Sequence, residues 1–169
     1  MAMPEPKMCH CCGEELSEDN LAWDYLYPDD LTEQIESERP DPVIHYESRT
    51  VIVSDAGSFM RAIMPVRLDA GLTATLGVWL AFTSKEEFER TMAAGRAGGD
   101  VWKALTFSGV LVNRVEPWPG VYGAEATATV LADKGPNGAP YISGTTQPLL
   151  AEVLAQEWPH QTFLPARSR

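Results

Sequence analysis

Between Phe59 and Phe82 the chain reads F-M-R-A-I-M-P-V-R-L-D-A-G-L-T-A-T-L-G-V-W-L-A-F, two alternating runs joined by Asp69-Ala70-Gly71. Met60, Ala62, Met64, Val66 and Leu68 alternate with Phe59, Arg61, Ile63, Pro65 and Arg67. After the turn, Leu72, Ala74, Leu76, Val78, Leu80 and Phe82 alternate with Thr73, Thr75, Gly77, Trp79 and Ala81. Period-two patterning on both sides of a short turn ending in glycine predicts a β-hairpin. With Leu68 facing Leu72, every even-numbered position of both strands falls on one apolar face. A slip of one residue would turn that face outward, so the register is strongly specified. Met64 then faces Leu76, and Arg61 faces Trp79.

The 169 residues around this hairpin suit one domain, or one domain with a small appendage. A folded chain of this length buries about 70% of the surface its unfolded form exposes, enough to stand without disulfide staples. Met1 to Lys7 is followed by no apolar run of signal-peptide type, and no stretch approaches the roughly 20 apolar residues that span a bilayer. A cytoplasmic protein is expected, with no membrane partner.

Cys9-His10-Cys11-Cys12-Gly13 has the Cys-x-x-Cys-Gly form of a zinc knuckle, in which a tight turn aims two thiolates at one point. A second Cys-x-x-Cys is absent, so Cys9 and Cys12 supply half of a tetrahedral Zn²⁺ site. Cys11, His10, His45, His160, a carboxylate or another subunit would complete it, the last giving a homodimer. A reactive or incidental thiol cluster is the competing reading.

Twelve acids and a single base, Arg39, lie from Glu14 to Glu47, so this stretch carries the whole net charge of −11. Such a field repels nucleic acid and attracts a basic protein or cations; a solvated acidic face is the plain alternative. Leu21 to Tyr27 holds three aromatics that would dock the segment onto the sheet. Asp30-Leu31-Thr32-Glu33 has capping-box form and predicts a helix to about Glu38.

Strands are predicted at Val43–Tyr46, Thr50–Val53, Phe107–Glu116, Tyr122–Ala132 and Tyr141–Ser143. The strand from Tyr122 is small on one face, with Ala124, Ala126, Ala128 and Val130. Ser84-Lys85-Glu86-Glu87 predicts a capped helix stopping near Gly95, Asp100 caps a single turn, and an amphipathic helix runs from Gln147 through Trp158 to Pro159. The expected fold class is α+β: an antiparallel β-sheet of about five to seven strands, helices packed on one face, and a zinc-knuckle-like N-terminal appendage. The expected division is residues 1–47 for the knuckle and acidic segment and residues 48–165 for the sheet domain.

Cys-x-x-Cys-Gly, Ser54-Asp55…Phe59…Arg61…Pro65-Val66, Leu76-Gly77-Val78-Trp79-Leu80-Ala81, Phe107-Ser108-Gly109…Asn113 and Gln147-Pro148-Leu149 together resemble the bacterial domain of unknown function family DUF2199. The resemblance covers most of the chain and implies one compact domain with a role for the cysteine pair. It implies no activity. This chain departs at Gln147, where similar sequences often carry histidine, which removes a histidine ligand there.

No nucleophile elbow, phosphate-cradling glycine loop or His-Glu-x-x-His helix is present. The leading expectation is therefore a non-catalytic, zinc-binding interaction protein. A small enzyme or ligand binder would use the odd face of the hairpin, where Asp55, Arg61, Arg67 and Trp79 line an anion- or ligand-binding groove; a solvated sheet surface is the alternative there. A third reading is an acidic immunity- or antagonist-type protein that covers a basic partner with Glu14 to Glu47.

Overall fold

The hairpin forms as its alternation requires. In a computed structural model that describes residues 7–8, 15–16, 22–36, 45–46, 51–54, 57–131 and 139–159, strands β6 (Gly57–Leu68) and β7 (Thr73–Phe82) pair from Arg67↔Thr73 to Phe59↔Ala81. Met64 lies opposite Leu76 and Arg61 opposite Trp79. A single 3₁₀ turn, Asp69–Gly71, makes the connection, with the Leu68 N–H donating to the Leu72 carbonyl at 2.8 Å. Gly71 has φ 71°, which a β-carbon would penalise. Met60, Ala62, Met64, Val66 and Leu68 on β6 and Ala74, Leu76, Val78 and Leu80 on β7 are all buried.

What covers the even face differs from the expectation. The sheet does not lie flat under helices: it closes on itself. β8 (Thr106–Leu111) pairs with β7, β9 (Glu125–Thr129) with β8, β10 (Tyr141–Thr145) with β9, and β10 returns to β6. The closing contact is parallel, Tyr141↔Ile63, and the Ile63 N–H donates to the Pro140 carbonyl at 2.8 Å. The result is an α+β protein built on a five-stranded barrel with additional strands. Ala124, Ala126 and Ala128 come from β9 and its approach, and the larger Met64, Leu76, Leu80, Phe107 and Leu111 fill the interior around them. Small side chains on one wall let a narrow barrel close around bulky ones on the others.

The helices that follow β7 and β10 lie at opposite ends of the barrel instead of on one face. β6 and β10 run in parallel and β7 against them, so the end of β7 and the end of β10 are at opposite mouths. Helix α2 (Lys85–Ala97) follows β7 and buries Met92 and Ala94 in the core. Ser84 caps it as predicted, its hydroxyl accepting from the Glu87 N–H at 3.1 Å. The helix passes Gly95 and ends at Gly98, whose φ of 63° makes it the better stop. A short α3 (Gly99–Lys103) follows. Helix α4 (Pro148–Ala155), after β10, buries Leu150 and Val153. It stops before Trp158, which instead belongs to β11 (Glu157–Trp158), paired in parallel with the end of β6. The Trp158 ring meets Trp118 edge-on at 4.9 Å.

Further strands extend the sheet beyond the barrel. β5 (Val51–Ser54) pairs with the start of β6, and β4 (His45–Tyr46) with β5. On the other side β3 (Ala22–Asp24) pairs in parallel with the middle of β7, so the described sheet has nine strands and mixed direction. β1 (Lys7–Met8) and β2 (Glu15–Leu16) form a separate antiparallel pair. Among the described residues no helix is long and apolar enough to cross a membrane.

Candidate functional site

The odd face of the hairpin is covered around Phe59, Gly77 and Trp79. Phe59, Trp79, Ile52, Val112 and Leu31 form a second buried cluster outside the barrel, with Tyr25, Tyr27 and Tyr122 packed against it. Leu31 comes from α1 (Asp29–Glu36), so the acidic segment supplies an apolar layer to the sheet. Tyr25 and Tyr27 dock it as their aromatic character predicts. The helix starts at Asp29, one residue before the predicted cap, because the Asp29 N–H donates to the Val112 carbonyl at 2.9 Å. Its carboxylate is held elsewhere.

Asn113 is the centre of that arrangement. Fully buried, its side-chain oxygen accepts from the Trp79 backbone N–H at 2.8 Å. Its amide donates to the Tyr27 carbonyl at 3.0 Å and to Asp29 Oδ1 at 3.1 Å. The Arg114 N–H donates to Asp29 Oδ2 at 2.7 Å, and the Arg114 guanidinium lies 3.3 Å from the same oxygen, 3.8 Å from Glu33 and 4.5 Å above the Tyr122 ring. The Tyr122 hydroxyl donates to Asp30 at 3.0 Å, so Asp30 is bound to the barrel and does not cap the helix. Two adjacent residues, Asn113 and Arg114, thus clamp helix α1 at its first turn.

Trp79 and Tyr25 join the clamp to β3. The Trp79 indole N–H donates to the Tyr25 carbonyl at 2.8 Å, the Tyr25 N–H to the Gly77 carbonyl at 2.9 Å, and the Glu116 N–H to the Tyr25 hydroxyl at 3.3 Å. Burial raises the Tyr25 phenol above its ordinary pKa of 10.0; the Glu116 N–H opposes that shift, and the Asp29 and Glu116 charges add to it. The Tyr122 phenol is raised by its partial burial first and then by its bond to the Asp30 carboxylate.

Four of the residues anticipated for a site are described: Arg61, Arg67, Trp79 and His45. Arg61 stands opposite Trp79, and its guanidinium is ion-paired with Asp24. A β-carbon at Gly77 would fall on that Asp24 carboxylate and 2.7 Å from Arg61 Nη2, so glycine leaves the space in which the pair crosses the strand. Arg67 donates to the Ala155 carbonyl at the end of α4. Trp79 is only 3% exposed. Around Trp79 and Phe59 the outer face is packed against Tyr25, Tyr27 and Leu31, while Arg67 remains exposed. His45 pairs with Val53 through the backbone of β4 and β5.

Cys9, His10, Cys11, Cys12, Asp55 and His160 lie outside the described residues. Met8 and Glu15, which flank the cysteine run in sequence, are paired with each other. Among the described residues no group of three or more His, Cys, Asp or Glu is placed to hold a metal ion.

Asn113, Arg114, Tyr122 and Asp29 carry the clamp, and residue-type reasoning assigned them no role. The available signal was Asn113 itself, a strand-averse amide in a stretch that otherwise reads as a continuous strand to Glu116. β8 in fact ends at Leu111, which frees Asn113 to turn toward the segment.

The Gly-Val-Trp strand and Asn113 therefore meet residues 24–33 of the acidic segment in one packed layer. No curated protein and no solved structure matches the chain. The family described as "Uncharacterized protein conserved in bacteria (DUF2199)" matches residues 8–147, and the chain belongs to it.

Proposed function

We propose that this is a non-catalytic interaction protein whose barrel presents the acidic segment to a basic protein partner, with Cys9 and Cys12 binding Zn²⁺ beside it. The observation that carries the reading is the Asn113–Asp29 clamp. With the segment held from its buried side, Asp24 on β3 keeps 59% and Glu33 on α1 keeps 69% of its side chain exposed. Leu26, 78% exposed between them in sequence, adds an apolar contact point. A preorganised surface avoids the ordering cost that a loose acidic tail would meet on binding. The zinc part rests on the Cys-x-x-Cys-Gly spacing, supported by the pairing of Met8 with Glu15.

Decalysine, added to the full chain at graded ionic strength, tests the docking. It should bind, weaken as salt rises, and weaken again in the double variant Asp30→Asn, Glu33→Gln. Deleting residues 14–47 would be the wrong comparison, because Leu31 and Tyr25 belong to the packed core. Binding that ignores both salt and the double substitution, or no binding at all, overturns the reading.

A further inference from the structure

A second feature lies on the outer wall of the barrel, across β8, β9 and β10. Ser108 pairs with Thr127, and Thr127 with Gly144. An open groove of about 590 Å³ runs over them, bounded by Thr83, Glu125, Thr145 and Thr146. That volume is in the range of small-molecule sites.

Gly144 is the informative residue. Its φ lies outside the left-handed region, and among the described residues an added β-carbon would meet nothing within 4 Å. Gly109, in the same groove, is different: there the β-carbon would come within 2.9 Å of the Ala81 carbonyl, so packing demands glycine. The ladder shifts register between Ile142 and Gly144, but the bulge that requires glycine is the one with a positive φ. A strand glycine weakens the sheet and goes with a bulge, a barrel corner or a close approach; at Gly144 the open space above the backbone leaves room for an approach.

The polar groups divide into spent and free. Ser143 donates to the Thr127 carbonyl at 3.3 Å and lies 2.9 Å from the Thr129 hydroxyl. The Thr145 hydroxyl donates to the Glu125 carbonyl at 2.6 Å. The hydroxyls of Ser108 and Thr127 and the carboxylate of Glu125 have no side-chain partner among the described residues. Both ladders of β9 are occupied, so a peptide cannot add to it as a strand. Glu125 disfavours phosphate and other anions. The hydroxyls of Ser108 and Thr127 both donate and accept, and the Glu125 carboxylate accepts from hydroxyls, a set that suits a polyhydroxylated, non-anionic ligand.

We propose that the groove binds a neutral saccharide, laid over the Gly144 notch, with Glu125 accepting from a pair of ring hydroxyls and Ser108 and Thr127 exchanging hydrogen bonds with others. The test is amide NMR of the full chain titrated with maltotriose, cellotriose and chitotriose at millimolar concentration. At least one should shift the amides of Ser108, Thr127 and Gly144 together. Gly144→Val should lower that sugar's affinity at least about tenfold while leaving the urea midpoint unchanged or higher, a combination that a merely structural glycine would not give. Glu125→Gln, an isosteric surface change, should weaken binding too and serves if the valine variant does not fold. No localised shift with any of the three sugars, or affinity unmoved by the folded variants, overturns the proposal.

Discussion

Asn113→Ala is the sharpest perturbation of the clamp. The side chain is fully buried and makes three hydrogen bonds, at 2.8, 3.0 and 3.1 Å. Alanine leaves the Trp79 N–H and the Tyr27 carbonyl without these partners, and a buried orphan costs about 1–3 kcal/mol. Asp29 fares better, because its other oxygen keeps the Arg114 N–H at 2.7 Å. The sum is about 2–4 kcal/mol after allowing for water entering the space. With a urea slope of roughly 2 kcal/mol per M, the midpoint should fall by about 1–2 M. The loss is also local: hydrogen exchange should quicken first at Tyr25 and in α1, and much less at Met64 or Val78 inside the barrel. Asn113→Asp should be no better than alanine, since its second oxygen would confront the Tyr27 carbonyl and the Asp29 carboxylate. A midpoint within about 0.2 M of the parent, or uniform quickening of exchange, would refute the claim that Asn113 holds the segment on the barrel.

Three further outcomes are expected. Leu76→Ala, at a position 2% exposed opposite Met64, should cost about 2–5 kcal/mol in a urea titration, and an unchanged midpoint would mean the inner face is wrongly assigned. Tyr25 and Tyr122 have folded pKa values raised above 10.0, so their contribution is complete below pH 10 and is lost as pH rises from there through the folded values. Ultraviolet titration should show their phenolates forming later than those of the unfolded chain, and coincident curves would remove the effect. If Cys9 and Cys12 hold Zn²⁺, affinity falls as pH drops because the ligands are thiolates, and metal content measured with sedimentation should give one zinc per monomer or one per two chains; metal-free reduced protein, unaltered by Cys9→Ser with Cys12→Ser, would end the zinc reading.

The hairpin was legible because one face obeys a single parity over both strands, and nothing else in the chain can satisfy that pattern. Local signals succeeded where they stood alone. Ser84 had a free helix start to cap, and it caps it. Asp30 carried the same capping sequence, but Tyr122 binds its carboxylate and the backbone of Val112 sets the helix start one residue earlier. Trp158 fitted the helical spacing of Leu150 and Val153, yet its partners are Trp118 and the end of β6. Barrel closure was the largest omission. It depends on the parallel return of β10 to β6, a pairing between distant residues that leaves only one trace, the run of alanines on β9.

The covered part of the odd face bears on how charge is distributed. Summed over residues, Glu14 to Glu47 is the most acidic part of the chain, and a sum suggests a segment bathed in water. Among its described residues the side chains are sorted by face. Tyr25, Tyr27 and Leu31 turn inward onto Trp79 and Phe59, while Asp24, Asp30 and Glu33 remain at the surface. The hairpin carried the complementary hint: Phe59, Trp79 and Ala81 are more apolar material than a solvated sheet face requires. Gly77 then fixes where the two meet. It is the only residue of β7's outer row without a side chain, and the Asp24–Arg61 ion pair occupies the space above it. Any larger residue there would push Asp24 away from Arg61, moving β3 against the Tyr25–Gly77 hydrogen bond that continues its pairing with β7. One missing β-carbon therefore aligns the acidic segment with the barrel before Asn113 and Arg114 secure it.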